Sequence, residues 1–486
     1  MRSRKMMLRN SKPGMLAAAS FLALLTAGSG AIAQSAADAQ GDGSLITATP
    51  AALIISTGAT KNVRCKAGVC RATAAQAVLS VKMLRNLLAK SPVSVVSGHA
   101  AKDIQIAAPL TWISSNTLTL DAFHSIIVVK PVSDAGAAGL TLITNDGGTG
   151  GTLSFGAKGN VSFLGTSNIL SINGNFYTLV NHVAELAAQI AANAAGHVAL
   201  AGKVNALADG TYHSAPVPTT FTGVFEGLGN TITSLKIVDS AFDASIGLFA
   251  HIGAGGVVEN VGLLKANMTG TDATGGYDAI GALAAENDGT IGNCYATGAV
   301  KRLNDPSFDG GLVGSNLGAI MNSHASVAVS GVGEYFGGLV GLNSSTGTIS
   351  KSYATGSASN ASYDAGLVGI NVGKIDSSYA TGAASNGFYV GGLVAINYGG
   401  QISNSYATGS ATGGTTYTGG FVGANTGTVS DSYSTGVVTG APSTDVGGFM
   451  GFDNSTAGSV SATYWDVTTS GIHIHSQGAG SPSNDP

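Results

Sequence analysis

The chain has 486 residues, of which 44% are hydrophobic and only 10% charged, with 72 glycines and a positive mean hydropathy of +0.28. This excludes the polar, highly charged profile of a disordered chain, and the length suits two or three ordinary domains or one elongated repeat body. The net charge is −4 and no Lys or Arg follows Lys374, which argues against nucleic acid as a partner.

Residues 1–33 read as a cleaved secretory signal: basic Arg2, Arg4, Lys5, Arg9 and Lys12, an apolar run from Met15 to Ala27, and the small-residue site Ala31-Ile32-Ala33. An apolar run of about 13 residues is too short to cross a bilayer as a helix. Its removal would leave a net charge of about −9. No later segment reaches transmembrane length, so the mature chain is expected to be secreted or at the cell surface.

Residues 34–98 read as a connector and capping helix. Cys65 and Cys70 flank Lys-Ala-Gly-Val, a spacing that closes a small disulfide loop after export. A metal or redox pair is the alternative, but the spacing is not Cys-x-x-Cys and no nearby histidine completes a zinc site. From Ala74 to Lys90, Val78, Val81, Leu84, Leu87 and Leu88 recur at helical spacing, with Lys82, Arg85 and Asn86 on the other face. This predicts one amphipathic helix, ended by Ser91-Pro92 and suited to cover an open sheet edge.

Short β-type runs follow at Val93, Asp103, Thr117, Ser125, Leu140, Thr152, Asn160 and Leu170, separated by Gly, Asn, Asp or Pro. Those after 99 make up a β segment to residue 180. A second helix is predicted from Asn181 to Asn193, with Val183, Leu186, Ala187 and Ile190 on one face, and then a linker to residue 218.

Residues 219–466 carry a repeat of roughly 27 residues, the mark of a stacked architecture. GGLVGSN begins at Gly310, GGLVGLN at Gly337, AGLVGIN at Ala365, GGLVAIN at Gly391 and GGFVGAN at Gly419. Leu283, Leu312, Leu339, Leu367, Leu393, Phe421 and Phe449 mark the core column. The glycines are expected at tight or left-handed corners. Asn287, Asn316, Asn343, Asn371, Asn397 and Asn425 tolerate such corners and can bond to their own copies one rung away. Ile375, Ser377 and Tyr379 share one parity, Ser378 and Ala380 the other. Either the strand bends before Ser378 so that Ile and Tyr both face the core, or the tyrosines stack outward. Tyr295, Tyr353, Tyr379, Tyr406 and Tyr433 recur in register. Outward they would form an aromatic platform for sugars; packing inward or shielding a corner is the expected arrangement. Residues 467–486 read as a flexible tail.

The ordered recurrence of GGLVGxN, GxI and NSYATG resembles the GLUG motif of bacterial exoproteins, filamentous-haemagglutinin-like adhesins and some large surface peptidases. The resemblance covers about 246–466, and PLTWISSNTLTLDAFHSIIV more loosely resembles haemagglutinin-type β-helix segments. It implies a right-handed parallel β-helix and surface adhesion. Period and strand pattern alone predict an all-β solenoid with a short N-terminal capping helix and one inserted helix. The NPNL or NPNG motif of two-partner exoproteins is absent.

Catalytic chemistry is sparse. None of the nine histidines sits in His-Glu-x-x-His, and the glycines read as repeat corners rather than nucleophile elbows or phosphate loops. A polysaccharide lyase or glycosidase would need carboxylates that do not belong to the repeat. The densest set is Lys301, Arg302, Asp305 and Asp309, expected in a solvated loop, with Asp272, Asp278, Glu286 and Asp288 on the adjacent coil. Cys294 stands where the repeat carries serine and is expected to be a free thiol. The whole reads as an exported, non-enzymatic adhesin-like or structural module, without cofactor or metal, whose ligand is a cell-surface glycan or protein. A carbohydrate-active enzyme and a matrix protein are the alternatives.

Overall fold

The computed structural model describes residues 51–241, 244–271, 278–303, 307–413, 415–440 and 445–481. The signal-like segment 1–33 lies outside them. The described chain is a β-solenoid of about 15 turns, so at one inter-strand spacing of about 4.8 Å per turn it is a rod on the order of 70 Å long.

The first turns wrap a core that includes Leu53, Leu79, Leu84, Ile104 and Ile126, all without solvent exposure. One sheet holds five parallel strands in the spatial order Gln76–Ser80, Ala52–Ser56, Asp103–Ile106, Ile126–Val128, Leu153–Phe155. The amphipathic segment differs from its expected form. Gln76–Ser80 is the outer strand of this sheet, and the helix is only Val81–Leu88, burying Val81, Leu84 and Leu88. Pairing with Ala52–Ser56 outweighs helical periodicity in the first half, because an edge strand there gains a full ladder of hydrogen bonds. The helix that remains packs Leu84 and Leu88 into the core of the first turns.

The winding is interrupted by an antiparallel hairpin, Ile169–Ile172 against Asn175–Val180. Its turn residues Asn173 and Gly174 both have positive φ, 50° and 84°, the two-residue turn that matches strand twist. The inserted helix Val183–Ala192 buries Val183, Leu186 and Ile190 and leads to His197–Leu200. That strand lies inside the expected linker, yet it pairs in parallel with Asn175–Val180 on one side and Val224–Glu226 on the other. It is a rung of the solenoid.

In the repeat body each coil contributes one short strand, such as Val340–Asn343 or Val368–Asn371, to a nine-stranded parallel sheet that starts at Phe249–Ile252. The tail supplies its last strand, Ala479–Ser481, paired with Met450 and Phe452, so this part of the expected tail is built into the fold. The pairing is in register: Val340 meets Val313 and Val368, and Ile349 meets Ile320 and Ile375. At the C-terminal end Trp465 takes the column filled by Ala354, Ala380 and Ala407 and packs against the core there.

Two expectations about corners change. A left-handed residue recurs at Asn293, Asn322, Lys351, Ser377, Asn404 and Asp431, with φ between 48° and 53°, and neither the glycines of the GGLVG stretches nor the ladder asparagines are left-handed. The repeat glycines serve close approach instead: a Cβ on Gly338 would lie 2.1 Å from the Gly366 carbonyl oxygen.

Candidate functional surface

Two buried polar columns hold the outer faces in place. Along one, each asparagine Nδ2 donates to the Oδ1 of the next, from Asn287 through Asn316, Asn343, Asn371 and Asn397 to Asn425, at 2.7–2.8 Å. The column ends where Asn425 donates to Asp453 at 3.0 Å; a carboxylate accepts and passes no proton on. The expected asparagine ladder is present. The second column was not foreseen. Ser323, Ser352, Ser378, Ser405 and Ser432 each accept a backbone N–H from the preceding coil at 3.0–3.2 Å. Each hydroxyl also donates to the carbonyl two residues back at 2.6–2.9 Å. Its signal was the serine that recurs before the stacked aromatic, at Ser323, Ser352, Ser378, Ser405 and Ser432, with Cys294 in its place one coil earlier.

The left-handed residue before each serine decides which way the tyrosines face. The strand does bend there, as one reading anticipated, but the bend turns Ser378 and Ala380 inward, both without exposure. Tyr379 is left half-buried on the outside. Of the two arrangements expected for the tyrosines, packing inward or shielding a corner, the inward one is corrected: Tyr295, His324, Tyr353, Tyr379, Tyr406 and Tyr433 form an outer stack. Successive ring centroids are 4.5–5.2 Å apart and the planes agree within 6°. Burial against neighbouring rungs, and then Tyr433, pushes the Tyr406 hydroxyl up to about 12. A second column, Phe308, Tyr335, Tyr363, Tyr389, Tyr417 and Phe452, runs with centroids 4.7–5.3 Å apart. Its first five members carry a signal that went unread, an aromatic two residues before the small residue that opens a repeat; Phe452 lies after Gly447 and follows no such rule.

This geometry changes what the first stack can do. Stacking a sugar needs a free ring face, and inside that column each face is covered by the next ring. The first column offers ring edges and hydroxyls at one rung spacing, not a platform.

The charged set does not assemble as one loop site. Lys301 is exposed, whereas its neighbour Arg302 and Asp309 are fully buried, with Arg302 Nε 3.8 Å from Asp309 Oδ2. The expectation of a solvated loop fails for these two because alternate strand residues face opposite sides, and both point inward. Asp305, Asp272 and the Asp278 side chain lie outside the described residues. On the adjacent coil Asp288 Oδ2 is 3.1 Å from His251 Nε2.

Cys65 and Cys70 are joined by a disulfide across the antiparallel pair Val63–Lys66 and Val69–Ala72. Cys294 is a free, buried thiol in the serine column, and burial pushes it up to about 12. Two carboxyls stand out. Asp364 is pushed up to about 8 by burial, although it accepts from the Ala361 N–H. Glu226 is pushed up to about 8 by burial and, less strongly, by the neighbouring Glu259 charge; Leu228 N–H and Asn260 Nδ2 donate to it at 2.8 and 3.1 Å. Among the described residues no group of three or more His, Cys, Asp or Glu is placed to hold a metal ion. No described helix is long and apolar enough to cross a membrane.

Comparison with known proteins gives a match to the GLUG motif at residues 386–412, about one coil of the repeat, which carries Tyr389 and Tyr406. A stretch of 109 residues is 38% identical to Halomucin from Haloquadratum walsbyi (strain DSM 16790 / HBSQ001), covering 22% of this chain and 1% of that protein. No solved structure matches the chain significantly.

Proposed function

We propose that this β-helix repeat protein is an exported, non-enzymatic module of a surface or secreted structure, with an adhesin-like binding role. The observation that carries the reading is the set of unbroken columns. Asparagine, serine and aromatic side chains in successive coils are spent on their own copies above and below, which builds stiffness along the rod. The similarity to Halomucin over 109 residues supports a surface or structural role. The haemagglutinin-like character of the motifs supports adhesion. Two measurements test the reading. The full chain expressed in a bacterium with residues 1–33 is expected outside the cytoplasm, processed near Ala33. The purified chain is expected to bind immobilised cell-surface extract. Cytoplasmic retention of an unprocessed chain would overturn the export reading, and absence of binding the adhesive one.

A further inference from the structure

Where the hairpin and inserted helix interrupt the winding, the outer surface is concave. A cleft of about 320 Å³ lies there, lined among others by Phe176, Thr178, Gln189, Asn193, Gly196 and His197. Each wall has a local cause. Thr178 pairs with Val198, so Phe176 stands beside Gly196, and Gly196 has no side chain to fill the space. A Cβ there would lie 3.1 Å from the Asn193 carbonyl oxygen and 3.2 Å from its side-chain nitrogen. The last turn of the helix Val183–Ala192 brings in Gln189, and Asn193 is its C-cap. The His197 ring is held edge-on by Tyr177, with centroids 5.1 Å apart.

The lining has a consistent chemistry. Phe176 is 73% exposed, and unlike the rings inside the tyrosine stack it is covered by no neighbouring ring among the described residues. The Gln189 amide, the Thr178 hydroxyl and the His197 ring nitrogens make no hydrogen bond to described residues. Asn193 uses only its oxygen, accepting from Ala195 N–H at 3.3 Å. No Asp, Glu, Lys or Arg lines the cleft. An open aromatic face beside uncharged donors and acceptors suits a molecule with one apolar C–H face and a rim of hydroxyls, and the volume is at the lower end of ordinary small-molecule sites.

We propose that this cleft is a binding subsite for an uncharged saccharide. The sugar ring lies on Phe176, and its hydroxyls pair with Gln189, Asn193 and Thr178. The proposal rests on the adhesive reading and assigns it a place, outside the repeat columns. The test is a glycan array carrying neutral hexose, N-acetylhexosamine, sialylated and sulfated oligosaccharides, probed with the full chain and with Phe176→Ala, Gln189→Ala and Tyr398→Ala. Tyr398 is 64% exposed and belongs to the repeat body, so it controls for loss of any surface aromatic. Because all three residues are exposed, folding is expected to survive, checked by circular dichroism. Expected are binding to neutral members at both low and high salt, a loss of tenfold or more in Phe176→Ala and Gln189→Ala, and no change in Tyr398→Ala. Binding that survives both cleft variants, or that is confined to sialylated or sulfated members, would overturn the cleft while leaving the adhesive reading intact. So would binding only to deglycosylated cell-surface protein. Binding to neither glycan nor protein would overturn both.

Discussion

Replacing Asn371 with leucine interrupts the asparagine column at its centre while nearly conserving volume. Asn371 has no solvent exposure; it accepts from Asn343 Nδ2 at 2.8 Å and donates to Asn397 Oδ1 at 2.8 Å. Leucine removes both bonds. The Asn397 oxygen then loses its ladder donor, while the Asn343 amide keeps only longer contacts to Gly347 and Lys374 carbonyls at 3.3 and 3.4 Å. A stranded buried polar group costs about 1–3 kcal/mol, so the two together cost about 2–6 kcal/mol. Asn386→Leu is the control: Asn386 donates to Asn360 at 2.9 Å in an exposed pair, and its φ of 72° means that leucine there costs about 1–2 kcal/mol of left-handed strain but strands no buried polar group. Long repeat arrays do not open as one unit, so the assay is amide hydrogen exchange resolved by coil, with urea unfolding beside it. Protection at Val368–Asn371 and Val394–Asn397 is expected to fall, while Phe249–Ile252, several coils away, keeps its own. Unchanged protection at Val394–Asn397, or a loss no larger than in Asn386→Leu, would refute the ladder as a source of stability.

The buried carboxyls set a pH dependence. Asp364 and Glu226 keep their protons to about pH 8 when folded, against 3.8 and 4.5 otherwise; the folded state therefore binds more protons between these limits, and stability falls as pH rises from about 4 to 8. Asp364→Asn is expected to remove about 4 kcal/mol of the stability difference between pH 5 and pH 8, read by urea unfolding at the two pH values; a midpoint that rises with pH in the wild type would contradict it. Asp309→Ala removes the carboxylate beside buried Arg302 and is expected to cost about 3–5 kcal/mol, whereas Lys301→Ala on the exposed side stays within about 0.5 kcal/mol; equal thermal shifts would show the pair is not structural. The Cys294 thiol, buried and weakly acidic, is expected to resist alkylation in native protein and react on unfolding, as mass spectrometry would reveal.

Much was legible before any coordinates because the architecture is translational. In a parallel in-register stack each residue sits over its own copy, so a letter recurring every coil names its neighbours; the asparagine ladder followed from this. The strands at Val93, Asp103 and Leu140 were also plain, being short apolar alternations between turn residues. The first half of the amphipathic segment was misread because Val78 extends the helical stripe of Val81 and Leu84 and fits an edge strand equally, and only the presence of Ala52–Ser56 beside it selects the strand.

The sequence by itself determined the period, the core column and the set of residues that stack, since these depend only on what repeats. The tertiary structure alone decided facing. One left-handed residue per coil, at Ser377 and its counterparts, reverses the alternation of side chains and puts serine and alanine inside with tyrosine outside. The same rule of alternation buries Arg302 and Asp309, and a hairpin followed by a helix opens the cleft around Phe176. Side-chain direction depends on the backbone torsion at such points, and no periodicity of letters encodes a torsion.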